Sequence, residues 1–179
     1  MFGRKKRSRL HDIRIMNQLF PAADALAEAD GARGAGAEHL LIAALDLDTG
    51  SARRAFERVG ADPDQFREAV RTQHADAMRA VGVQPINDVM LDRHIPPPVP
   101  DNRPHRGSPS GHELFRKVVP LVRKERSQLY GAYFVLAAAE TEHGTTARAL
   151  RHMNVDLTAL AAAARSEIDA LNMDDSSED

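Results

Sequence analysis

AEHLLIAAL, residues 37–45, is apolar around its whole circumference except for a carboxylate and an imidazole, Glu38 and His39, at its start. A helix apolar on every side has no face to offer water and belongs inside a core. A related segment, AYFVLAAAE, returns at residues 132–140 with Tyr133 and Phe134 in place of Glu38 and His39. Two buried helices of one design point to a duplicated fold.

The duplication continues on the C-terminal side of both segments. GSARRAFERVGAD (50–62) aligns with GTTARALRHMNVD (144–156) at a constant offset of 94, pairing Gly50 with Gly144, Arg54 with Arg148, Ala55 with Ala149, Phe56 with Leu150 and Asp62 with Asp156. Gly36-Ala37 pairs with Gly131-Ala132 and Leu41 with Leu136 at an offset of 95, so one residue is deleted in the turn between. A repeated unit fixes the architecture before any local element is assigned.

Each copy reads as about four helices. In the first, Met16, Leu19, Phe20, Ala23, Leu26 and Ala27 recur at helical spacing until GARGAG stops the pattern. Pro21 lies within it, either opening the helix at its first turn or kinking it. Residues 37–45 form the second helix, and the third runs from about Gly50 to Val59. The fourth has Asp62 as N-cap, Pro63 in the first helical position and Gln65 at the capping-box site, with Phe66, Val70, Ala77 and Val81 following. In the second copy, Leu157, Leu160, Ala161, Ala164, Ile168 and Leu171 give the last helix an apolar stripe.

The predicted fold is therefore all-α: two tandem pseudo-symmetric four-helix repeats, about eight helices, packed into one domain. The expected divisions are a basic arm at 1–11, a first repeat at 12–81, a Pro/Gly-rich connector at 82–111, a degenerate second repeat at 112–171 and an acidic, frayed tail at 172–179.

Composition agrees with this reading. The chain of 179 residues is 42% hydrophobic and 28% charged, which is globular, and with 4% aromatics and no Trp its core must be built mainly from Ala and Leu. Zero cysteines exclude disulfides and thiolate metal sites. No run approaches the roughly 18 apolar residues of a membrane span, and the basic N-terminus leads into no signal-like apolar stretch. A soluble cytoplasmic protein is expected. The net charge of −2 hides an uneven distribution: RKKRSR at 4–9 is basic and DDSSED at 174–179 acidic.

Catalytic and cofactor chemistry find no support. The eight histidines show no HExxH spacing, so no metal or other cofactor is expected. GARGAG lacks the Lys-Ser/Thr of a phosphate loop, and no GxSxG context presents a nucleophile.

The residues at the helix starts resemble those of a known family, the N-terminal double repeat of Clp-type protein-unfolding ATPases of the ClpC and ClpA kind. In that family each repeat carries Gly-Thr-Glu-His-[Ile/Leu]-Leu-Leu, a Gly-x-Ala-x-x-x-Leu helix and a Gly-Val-[Asp/Ser] turn. Here the first repeat has Gly36-Ala37-Glu38-His39-Leu40-Leu41, Gly50-Ser51-Ala52-Arg53-Arg54-Ala55-Phe56 and Gly60-Ala61-Asp62, and SGHELF (110–115) is similar to the lead into the second repeat. The resemblance spans roughly residues 12–171. With no GxxxxGK[ST] and no room for an ATPase module, a free-standing N-domain is expected.

The resemblance implies recognition of substrates, adaptors or, in some members, phosphorylated arginine. There the Glu holds the guanidinium and a hydroxyl near the start of the preceding helix assists the phosphate. Glu38 matches the carboxylate, but Ala37 replaces the Thr, the hydroxyl position falls near Ile13, and the second copy has Tyr133 and Phe134. A phenol cannot give a guanidinium the two parallel hydrogen bonds of a carboxylate, so one site at most is expected. Some relatives bind cyclic-peptide antibiotics on an apolar patch, to which Phe115 would belong by resemblance.

Other roles compete for each of these residues. Glu38 in a first helical turn also suits the helix dipole, His39 suits packing or capping, and Tyr133 and Phe134 suit packing within or between repeats. The candidate peptide- or phosphoarginine-binding residues are Glu38, His39, Phe115, Tyr133 and Phe134. The expected function is a non-enzymatic protein- or peptide-recognition module of the Clp protease system, acting as adaptor, regulator or decoy. The alternative is a nucleic-acid-associated protein that binds through Arg4, Lys5, Lys6, Arg7 and Arg9.

Overall fold

The computed structural model describes residues 9–82, 105 and 107–177. They form eight helices: α1 (Arg9–Ala29), α2 (Ala37–Leu45), α3 (Ser51–Arg58), α4 (Pro63–Ala80), α5 (Pro109–Glu125), α6 (Gly131–Ala139), α7 (Thr145–His152) and α8 (Leu157–Ser177). No strand occurs among the described residues; the only sheet-like pairing there is an isolated bridge between Ala35 and Gly107. The fold is the predicted all-α double repeat, with α1–α4 matched by α5–α8.

Every residue of α2 and of α6 is buried. These two helices lie against each other at the centre, and alanines and a glycine let their backbones come close. A Cβ added at Gly131 would stand 2.8 Å from the Ala44 carbonyl oxygen and 3.1 Å from the Ala52 Cβ, so only glycine fits at that junction. The outer helices cross between copies: α3 of the first packs on α8 of the second and, in the symmetry-related contact, α4 packs on α7. The halves are thus interleaved rather than merely adjacent.

Cap chemistry sets several helix starts. Asp62 accepts from the Asp64 amide at 2.9 Å with Pro63 in the first turn, as predicted for α4. Ser108 caps α5 through Gly111 N–H, again with Pro109 at the first position. Pro21 lies inside a continuous α1, where the Asn17 carbonyl loses its usual amide partner but the helix persists because Ile15, Leu19, Ala23 and Ala27 are anchored in the core.

Several boundaries differ from expectation. Residues 9–11 belong to α1 and residues 109–111 to α5; the rest of the expected arm and connector, residues 1–8, 83–104 and 106, lies outside the described residues, as do 178–179. The acidic tail is helical through Ser177, because Asp175 accepts hydrogen bonds from Gln128 and the Tyr130 hydroxyl, each at 2.7 Å. The stripe expected along α4 stops at Val70: Ala77 and Val81 are exposed, since α4 runs past the helices it packs on.

Candidate recognition site at the start of α2

The N-terminus of α2 exposes backbone amides that need acceptors. His39, in the third helical position, supplies one by folding back so that its Nδ1 accepts from Gly36 N–H at 2.9 Å. Nδ1 is therefore unprotonated, and the ring's remaining proton sits on Nε2, which donates to Asp30 Oδ2 at 3.1 Å. His39 is 1% exposed and acts as a cap tying the end of α1 to the start of α2.

Glu38 turns its carboxylate over Gly36, where a Cβ would stand 2.6 Å from Oε1. It is largely buried, at 9% exposure, and its Oε1 lies 3.7 Å from His74 Nε2 on α4 and 3.8 Å from His39 Nδ1. Burial pushes the carboxyl upward, but the His74 imidazole and the helix-start backbone outweigh it and hold Glu38 below its ordinary range. The same carboxylate raises the pKa of His74 against the opposing effect of burial, while Arg148 on α7 adds positive charge close by. The result is one carboxylate under a half-buried, partly cationic rim drawn from both repeats.

Ser110 completes this rim. Its hydroxyl accepts from Ala37 N–H at 3.3 Å and shares a 3.1 Å hydrogen bond with Ser108. The loop before α5 is fastened here by Ser108 N–H to the Ala35 carbonyl at 2.9 Å. The hydroxyl beside Glu38 thus comes from the second copy. Ile13, the position expected to face it, lies 17 residues before Asp30, about 25 Å along α1 at 1.5 Å per residue, and is 49% exposed.

The second copy has a different interior. Tyr133 and Phe134 have no exposed surface. Tyr133 donates to Glu125 Oε2 at 2.6 Å and stacks on Tyr130 with ring centroids 6.5 Å apart. Burial and the Glu125 carboxylate push its phenol well above the usual range, so it remains a neutral donor. Phe134 stacks on Phe115, which meets Phe20 edge-on at 5.3 Å, and Phe20 in turn stacks on His105 at 4.4 Å. These aromatics join α1, α5 and α6 internally. Tyr133 and Phe134 are core residues, the packing role open to them from the sequence, and Phe115 is half-buried between them and α1.

Of the five candidate residues, the structure brings Glu38 and His39 together and gathers Phe115, Tyr133 and Phe134 in and around the core. Sequence reasoning missed His74, Ser110 and Arg148, which lie 36, 72 and 110 positions from Glu38 and are brought to it by the fold. The alignment of Arg148 with Arg54 and the SGHELF lead were visible signals, but neither gives a direction in space. No group of three or more His, Asp or Glu among the described residues is disposed to hold a metal ion, and no helix there is long and apolar enough to cross a membrane.

No curated protein matches the chain. A family model does, that of the Clp repeat (R) N-terminal domain, over residues 15–93, which include α1 to α4 almost completely and Glu38 with His39 and His74. The internal alignment and the matching helix order extend the same unit to α5–α8. The first repeat is thus similar, over residues 15–93, to the Clp repeat (R) N-terminal domain.

Proposed function

We propose that the protein is a recognition module of a Clp-type proteolytic system that takes one guanidinium-bearing segment of a substrate or adaptor at Glu38. The observation that carries this reading is the pairing of Glu38 with His74 inside the segment matched to the Clp repeat. Glu38 is ionised, and its cationic neighbour is a half-exposed imidazole at 3.7 Å, beyond a good hydrogen bond. An arriving guanidinium can replace that imidazole with two short charge-assisted bonds. If the guanidinium carries a phosphoryl group, the displaced His74, Arg148 and the Ser110 hydroxyl offer it positive charge and a donor. Such a role requires no chemical step, and adaptor, regulator and decoy roles all use the same contact.

The test is direct binding of the purified protein to Clp-type ATPase and peptidase components, their degradation substrates and arginine-bearing peptides, each compared with Glu38→Ala. At least one partner is expected to bind, and to lose more than tenfold in affinity in the variant. Binding of none of them would overturn the proposal.

A further inference from the structure

Nearly all arginines on the first repeat and on α8 are matched by carboxylates: Arg14 with Asp48, Arg53 with Asp64, Arg54 and Arg58 with Glu167, Arg67 with Asp46 and Arg165 with Glu140. The outward face of α5 is different. Arg116, Arg123, Lys124 and the C-cap Arg126 are exposed, and no carboxylate among the described residues pairs with any of them. Glu113 is the one acid on that face. The dipole of α5 favours cations in its last turn, but that does not account for Arg116, two turns earlier. The symmetry mate α1 ends with no basic residue at all.

A second basic feature reaches the same end of the molecule. The loop after Arg126 holds the start of α1: Asp12 accepts from Leu129 N–H at 2.7 Å, and His11 Nε2 lies 3.1 Å from the Leu129 carbonyl oxygen. Arg9, the last residue of the RKKRSR run, opens α1 two residues before His11, at the helix end that this loop holds.

We infer that the outward face of α5, together with the start of α1, is a binding surface for the phosphate backbone of nucleic acid, separate from the Glu38 site. A protein interface needs buried apolar or aromatic anchors, and between these cations α5 presents only Pro120 and the half-buried Val119. A phosphate backbone needs only spaced cations. Arg116 and Arg123 stand about 10 Å apart along the helix, so the face meets several phosphates in succession. With no exposed aromatic on α5 to stack a base, binding is independent of sequence. The end of α8, with Asp174 and Asp175, packs on the same loop through the Gln128 and Tyr130 bonds to Asp175, so its negative charge opposes the polyanion.

The experiment is fluorescence anisotropy with a labelled, mixed-sequence single-stranded DNA over a range of salt concentrations, on the full chain. Wild type is expected to bind at low salt. R116Q/R123Q/K124Q/R126Q is expected to lose at least tenfold and to lower the salt slope by about 2–3, at about 0.7 per phosphate contact. E38A is expected to match wild type, which separates this surface from the recognition site. Circular dichroism checks the helix content of the quadruple variant, and R116E alone serves if that variant fails to fold. The inference is overturned by absence of binding at low salt, or by loss confined to R4Q/K5Q/K6Q/R7Q. Equally tight binding of a poly-glutamate peptide would also overturn it, because the surface would then be one for acidic protein segments.

Discussion

Glu38 and His74 titrate in opposite senses, and the pair therefore leaves a signature in the pH dependence of stability. Glu38 has a folded pKa below its ordinary value, so its contribution is present at neutral pH and is lost as pH falls through that lowered value. His74 has a folded pKa above its ordinary value, so its contribution is full below the unfolded value near 6.5 and is lost as pH rises through the raised one. The pair stabilises most between those two limits. In H74A, denaturant titrations across pH 4–9 are expected to show a flatter profile on the alkaline side; an unchanged profile would remove the ion pair from the account. Binding of an unmodified arginine peptide is expected to strengthen as pH rises and His74 stops competing for Glu38, a trend that calorimetry at several pH values checks. Glu38 was legible as a residue because its place before an apolar run is unusual. Its partners were not, since a histidine far along the chain carries no local mark of what it will face.

Packing between elements gives sharper mechanical expectations. Glu167 on α8 is 2% exposed and accepts from Arg54 Nε at 2.6 Å and Arg58 Nε at 2.5 Å, while the two arginines are about half exposed. Burial opposes ionisation of Glu167, but the two guanidinium groups prevail and lower its pKa. The cost of breaking this contact is therefore unequal on its two sides. R54A/R58A strands a buried carboxylate and is expected to cost roughly 3–5 kcal/mol, whereas E167A leaves two cations that water can reach and is expected to cost less. Chemical denaturation of both variants checks the order, and a larger loss from E167A would contradict it. Gly131→Ala drives a methyl into the Ala44 carbonyl and Ala52 and is expected to cost about 1–3 kcal/mol, read as a lowered Tm. At this scale most of the fold was legible. Periodicity and caps located the helices, and the uninterrupted apolar runs marked α2 and α6 as central. The end of α4 was misread because Ala77 and Val81 continue the apolar pattern beyond the helices that could cover them. The end of α8 was misread because its acidic residues look solvated, whereas Asp175 meets Gln128 and Tyr130 across the fold.

The whole molecule is two homologous units exchanging outer helices around a shared α2–α6 core. Neither unit alone covers its central helix: α3 without α8, or α4 without α7, leaves an apolar face bare. Residues 9–82 expressed alone are expected to give little cooperative unfolding by circular dichroism, in contrast to a single transition in the full chain. The duplication was visible from the two aligned segments, but their interleaving was not, because an internal alignment shows that two units are alike and not how they pack. Interleaving also creates the asymmetry of function. The start of α2 keeps a carboxylate and borrows Ser110 and Arg148 from the other copy, while the start of α6 is filled with Tyr133 and Phe134. On the proposed reading, one position per chain holds a guanidinium. Calorimetric titration of the wild type and Glu38→Ala with phosphoarginine tests this most directly: the account predicts a single site that disappears in the variant, and two equal sites, or binding indifferent to Glu38, would contradict it.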